Sequence, residues 1–217
     1  MLSRNTVFAL LLAPMLAAIL AGPALADDTN PPSWRGTPDT TFQAWTFPDQ
    51  NLPHPADPGY FNPNGVPLQD FTLTTPITWL PTAFGRPGVY ALGPGGILHF
   101  SLPNDNDPNE DKIIWAQVTW NTGPGTEIVS LTPFGPPDAT FSNPENTPME
   151  GGWVHSTFVF NLPVCPAIEF FQIRNNSQDH VFIDQVVIDT KCVPEPASLV
   201  ALAVGIGAIV RKRRQSA

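Results

Sequence analysis

Cysteine is nearly missing from this 217-residue sequence, which has only Cys165 and Cys192. Histidine is almost as rare, and His54, His99, His155 and His180 are scattered without ligand spacing, so a Cys/His metal module is excluded. Cations are scarce as well: of ten Lys and Arg, Arg4, Arg211, Lys212, Arg213 and Arg214 sit in the two ends. Between residues 27 and 193, Arg35, Arg86, Lys112, Arg174 and Lys191 stand against 18 carboxylates, a net charge of −13. Such a field repels phosphate backbones and excludes nucleic acid as a partner. It favours cations, calcium among them, or simply keeps an exported domain soluble.

The common signatures of catalysis are also missing. There is no Gly-x-Ser-x-Gly elbow, no His-Glu-x-x-His helix, no phosphate loop and no Cys/His pairing. Ser156 beside His155 is no dyad, because neighbours on a strand point to opposite faces. A glycosidase needs two facing carboxylates, and 18 acidic residues give many accidental pairs. The chain is therefore read as a non-enzyme, with a polysaccharide hydrolase third among the alternatives.

Proline is what the sequence has in excess: 23 of its 27 lie between 27 and 193. That density excludes long helices there, and the short β-branched and aromatic runs between prolines predict an all-β, two-sheet sandwich. Strands are expected near 69–74, 77–80, 89–92, 96–102, 112–121, 127–132, 153–162, 167–174 and 181–189. In the clearest, Ile114, Ala116, Val118 and Trp120 alternate with Gln117 and Thr119, which predicts one core face and one mostly wet face. Trp115 on the wet side is either covered by a loop or an exposed contact. In the last strand Phe182, Val186 and Ile188 are expected on one face, with Asp184 among them, and Val181, Ile183 and Val187 on the other. Asp184 is expected to cap a loop or pair with Arg174, with a ligand role as the alternative.

Residues 27–67 carry nine prolines together with Trp34, Phe42, Trp45, Phe47, Tyr60 and Phe61. Disordered segments are poor in aromatics, so this is read as an ordered arm laid on a sandwich of residues 68–192, with one strand at 40–47. In an oxidising compartment Cys165 and Cys192 are expected to form a disulfide, worth about 3 kcal/mol.

The ends read as addresses. Arg4 precedes an apolar run, and Ala24 and Ala26 supply the small residues a signal peptidase reads, so 1–26 is a signal peptide cleaved before Asp27. At the other end stand Val193, Pro194, Glu195 and Pro196, then an apolar stretch at about 197–210, then the basic tail 211–214. As a transmembrane helix that stretch is about 21 Å long against a hydrocarbon core of about 30 Å. It is short for a permanent span, although a plain C-terminal membrane anchor remains the alternative. The basic tail stays cytoplasmic, placing the bulk of the chain outside.

Residues 193–217 resemble the bacterial PEP-CTERM sorting signal, with Val193-Pro194-Glu195-Pro196 as the motif. The resemblance implies export, contact with the inner membrane in transit, processing by a membrane-embedded exosortase, and delivery to the cell envelope, cell surface or extracellular matrix. The secretion machinery and the exosortase are the implied partners. The middle of the chain resembles exported β-sandwich modules that carry the same tail, through Trp34-Arg35-Gly36 and Ile183-Asp184-Gln185-Val186. That resemblance implies a jelly-roll or galactose-binding-like topology and no particular activity.

Three roles follow, in order: a structural or adhesive surface protein, a non-catalytic carbohydrate-binding module, and the hydrolase. For extracellular polysaccharide the candidate contacts are Trp34, Arg35 and Trp115, since sugar faces stack on aromatics; most of the six tryptophans are expected in the core. No cofactor is expected beyond a candidate calcium loop, Asp105, Asp107, Asn109 and Asp111, whose alternate oxygens suit a hard cation. The loop lacks the turning glycine of an EF-hand, and a solvated turn is the alternative.

Overall fold

The computed structural model describes residues 27–71, 76–122, 130–134 and 140–194. The signal peptide and the C-terminal helix expected from the sequence lie outside these residues. Among the described residues there is no α-helix, and no helix is long and apolar enough to cross a membrane. The fold is all-β, with two antiparallel sheets enclosing one core.

Its strands are β1 (Thr40–Trp45), β2 (His54–Pro55), β3 (Leu68–Phe71), β4 (Ile77–Ala83), β5 (Arg86–Leu92), β6 (Ile97–Pro103), β7 (Glu110–Asn121), β8 (Ser130–Phe134), β9 (Thr140–Phe141), β10 (Glu145–Pro148), β11 (Val154–Leu162), β12 (Ile168–Arg174) and β13 (Val181–Pro194). The larger sheet runs β10-β11-β7-β13-β5-β4, with β9 beside β11 and β1 beside β13. The smaller runs β2-β3-β6-β12-β8. The expected strands at 69–74 and 127–132 correspond to β3 and β8, although 72–74 and 127–129 lie outside the described residues.

Period-2 alternation builds the core. Ile114, Ala116, Val118 and Trp120 of β7 face Leu98, Phe100 and Leu102 of β6 and Phe171 and Ile173 of β12. Aromatic edges join the layers: the Trp45 and Phe100 rings are 4.8 Å apart, and those of Phe160 and Phe171 6.0 Å. Trp45, Trp120 and Trp153 are buried and Trp34, Trp79 and Trp115 half-buried, so half of the tryptophans, rather than most, are fully buried.

The central strand β13 departs from expectation in three ways. Its register against β7 slips between Ile183 and Gln185. This bulge sets two residues against one and turns Val181 and Ile183 to the same core face as Val186 and Ile188, so the expected division of faces is wrong. The strand also continues past Asp189 to Pro194, whose register partner is Glu110; at the sheet end a proline's missing donor costs little. The other edge of β13 is shared end to end, with β5 taking Val181–Ile183 and β1 taking Val186–Lys191. The bulge lies in the gap between them.

Candidate functional site

The outward face of the larger sheet carries Gln117 and Thr119 on β7, His155 and Thr157 on β11, and Gln185 and Asp189 on β13. A wet face was expected here, yet all six are buried. The cover is the start of the arm. Asn30 N–H donates to Gln117 Oε1 at 2.9 Å, Gln117 Nε2 donates to Asp28 Oδ1 at 2.8 Å, and Asn30 Nδ2 donates to Thr157 Oγ1 at 3.1 Å. Trp115 Nε1 donates to the Asn30 carbonyl at 2.8 Å, so this tryptophan lies under the arm. The burial is tolerable because the arm supplies the hydrogen bonds that water would have made. His155, held against Gln117 and Thr119, has its pKa lowered chiefly by burial, with Arg86 adding to the effect while Asp27 and Asp28 oppose it.

Two arginines pin the arm down. Arg35 bonds Asp28 and, through Nε at 2.5 Å and a second nitrogen at 2.7 Å, Asp189; its guanidinium lies 4.3 Å from the Phe42 ring centre. Arg86 bonds Asp27 and, at 2.5 Å, Asp184, and lies 4.9 Å from the Trp153 ring. The expected pairing of Asp184 with Arg174 is therefore replaced by Arg86, because the bulge turns Asp184 towards β5. Burial pushes both Asp184 and Asp189 up to about 6, against the pull of their arginines; neighbouring Asp27 and Asp28 add like charge. Burial would lower the Arg35 pKa, but its two carboxylates win and raise it.

The bulge has a second effect: it places Asp184 and Gln185 side by side in a groove of about 620 Å³, with Trp79, Arg86 and Asp27 also lining it. Gln185 Oε1 accepts from Asp27 N–H at 3.0 Å, while its buried Nε2 has no hydrogen-bond partner among the described residues. The groove thus offers an aromatic edge, proline walls, two carboxylates and a guanidinium, together with the Gln185 side chain, whose unpartnered Nε2 is buried. This suits a polyhydroxylated ligand, which needs apolar contact and mixed hydrogen bonding together.

The sequence-derived candidates fare unevenly. Arg35 and Trp115 share the arm-covered region, since Asp189, which holds Arg35, pairs in register with Trp115; Arg35 is already engaged by two carboxylates, and Trp34 is half-buried in a turn where its carbonyl accepts from Thr37. Asp105, Asp107, Asn109 and Asp111 are not brought together as a cage. Asp107 Oδ1 accepts from the Asn109 backbone and side chain within its own turn, and no group of three metal-binding side chains converges among the described residues. Cys165 and Cys192 form a disulfide with Cα atoms 5.8 Å apart. Asp27 is buried on Arg86 and Gln185, whereas Ala24 and Ala26 lie outside the described residues. Val193 and Pro194 end β13, and Glu195 and Pro196 lie outside.

A cluster beside the disulfide was missed by the sequence reading. Lys112, Asn104 and Glu169 are all buried, and Lys112 Nζ stands 2.5 Å from Asn104 Oδ1 and 3.6 Å from Cys192 Sγ. A signal existed: Lys112 has the parity of Ile114 and Ala116, and Glu169 that of Phe171 and Ile173, so both had to point inward. Asn104 continues the parity of Leu98, Phe100 and Leu102, although it stands just past the end of β6. Compared with protein-family models, with curated proteins and with solved structures, the chain matches none.

Proposed function

We propose that the chain is an exported, exosortase-processed protein of the cell surface or extracellular matrix, with a structural or adhesive role. The observation that carries this reading is the position of β13. The most internal strand of the larger sheet, paired with β7 from end to end and tied by Cys192 to Cys165, leads directly into Val193-Pro194-Glu195-Pro196. A pull on the tail is then borne by a central strand rather than by a frayed edge. A jelly-roll or galactose-binding-like topology belongs to the same proposal. The test is fractionation of cells that make the chain with and without an exosortase. Retention at the surface or in the matrix should depend on the enzyme and be lost on Pro194→Ala/Pro196→Ala; an unchanged distribution would count against the reading.

The groove favours carbohydrate binding as a second reading, because its buried Gln185 donor is unpaired beside Trp79. Retention of the protein by insoluble polysaccharide should fall at least about tenfold in Trp79→Ala, the loss of about 1.4 kcal/mol. Retention equal to that of an unrelated acidic protein removes this reading.

A further inference from the structure

The cluster at the disulfide end holds three reactive groups that no hydrogen-bonding role fully explains. Lys112 lies on the inward face of β7, 1% exposed, and among the described residues it forms no ion pair. Its nitrogen is directed at the side-chain amide of Asn104, just beyond the end of β6. That amide is held on both sides: the Asn104 backbone N–H donates to the Ala167 carbonyl at 2.8 Å, and Nδ2 donates to the Leu102 carbonyl at 3.2 Å. Glu169, opposite Leu102 in register, is the next inward residue of β12. It is 3% exposed, and neither carboxyl oxygen has a hydrogen-bond partner of normal geometry among the described residues.

We propose that Lys112 and Asn104 become joined by a spontaneous isopeptide bond between Lys112 Nζ and the Asn104 side-chain carbonyl carbon, with Glu169 carrying the proton. The nucleophile and electrophile are fixed in a dry site, where the entropic cost of bringing them together is met by folding. The neutral amine adds to the Asn104 Cγ, the Cγ–Nδ2 bond breaks, and ammonia departs. The proton lost by Nζ passes through the Glu169 carboxyl to Nδ2, and Glu169 ends as it began. One amide replaces another, so no oxidant, reductant or co-reactant enters.

The environment favours the forms this step needs. Burial lowers the Lys112 pKa, against Glu169 and Asp105, which favour its charge; the amine is thus more accessible than on a surface lysine. Burial pushes Glu169 up to about 7, against Lys112 and the nearby Asn104 amide, which suits a group that must both accept and give a proton near neutrality. The product would tie the end of β6 in one sheet to β7 in the other. It would close the acidic turn between them beside the Cys165–Cys192 bond, at the end from which the tail leaves.

The bond draws nothing from the export reading, so either can fail alone. The test is peptide mapping by mass spectrometry of the full chain, folded with its disulfide formed and then reduced and digested. A branched peptide joining Lys112 to Asn104, lighter than its two parts by one ammonia, is expected. In Asn104→Asp the loss should change from ammonia to water. Glu169→Gln, which keeps the shape but cannot relay the proton, should fold with most of the chain unjoined. A folded, disulfide-bonded wild-type chain without the branched peptide overturns the proposal. A Glu169→Gln chain joined as completely as wild type overturns the part given to Glu169.

Discussion

Replacing Arg35 by Met should destabilise the protein in a way that depends on pH. Among the described residues Arg35 is the only cation bonded to Asp189, whose side chain is fully buried, and it also holds Asp28. Breaking a buried pair from one side costs about 3–5 kcal/mol, because the remaining charge is left in a poor solvent. Arg35 is itself about one-fifth exposed, which places the loss at the lower end, about 3 kcal/mol at pH 7.5. A carboxylate can escape this cost by taking a proton. In wild type Asp189 sits at about 6, above its ordinary value, so between pH 4 and 6 the folded state binds a proton that the unfolded chain does not. Stability from this group is therefore full at low pH and falls as pH rises through 6. Without the guanidinium that window extends upward, and each further pH unit adds about 1.4 kcal/mol to the deficit until the new pKa is passed. Urea unfolding followed by tryptophan fluorescence should show a deficit of about 3 kcal/mol at pH 7.5 and less than about half of that at pH 5. Arg35→Met/Asp189→Asn should recover at least about 1 kcal/mol of the single variant's loss at pH 7.5. A deficit equal at both pH values, or a double variant no better than the single, would refute the assignment of Arg35 as the counter-charge of Asp189.

The wild-type protein should itself be more stable near pH 5 than at pH 7.5, by about 1–3 kcal/mol, since Asp184 and Asp189 both sit at about 6; thermal melts that rise or stay level over this range contradict it. Gly88→Ala should cost about 3 kcal/mol or prevent folding, because φ is +61° and an added Cβ would stand 2.3 Å from the Phe47 carbonyl oxygen; a melting temperature within a degree of wild type would show that this close approach is absent. Cys165→Ser/Cys192→Ser should lose about 3 kcal/mol for its 27-residue loop, read as a fall in the urea midpoint; an unchanged midpoint would mean that the native sheets alone hold the β13 terminus.

How far the sequence could be read followed from the range of each interaction. β7 was legible because a half-buried strand writes its core face at every second residue. The strand at β13 was legible, but its faces were misassigned because a bulge adds one residue without changing composition. Its trace is the spacing of three between Ile183 and Val186, both in the core, where an unbroken strand would keep a spacing of two. The short strands β2, β9 and β10 have two to four residues, too few to show any period, and β2 and β10 end in proline. The wet-looking face of Gln117, Thr119 and Thr157 was misread for a different reason. Its cover arrives from 87 and 127 residues away, as Asn30 reaches Gln117 and Thr157, and local pattern does not encode so distant a lid.

Burial of charge also decides what the surface can attract. Between residues 27 and 193 there are five cations, and Arg35, Arg86 and Lys112 are engaged by Asp28 and Asp189, by Asp27 and Asp184, and by Asn104. Arg35 and Arg86 each bind two carboxylates, so neither can serve as an anion receptor without releasing the arm. Arg174 is exposed and Lys191 half-buried, whereas Asp39, Asp105, Glu145 and Asp179 stand in solvent. An acidic polymer would meet this field as repulsion, screened only beyond about 8 Å at physiological salt. The repulsion is weakest for a neutral glycan, whose hydroxyls can donate to Asp27 and Asp184 without bringing charge. The retention experiment on the groove is therefore most discriminating with neutral polysaccharides, because a failure there cannot be ascribed to charge.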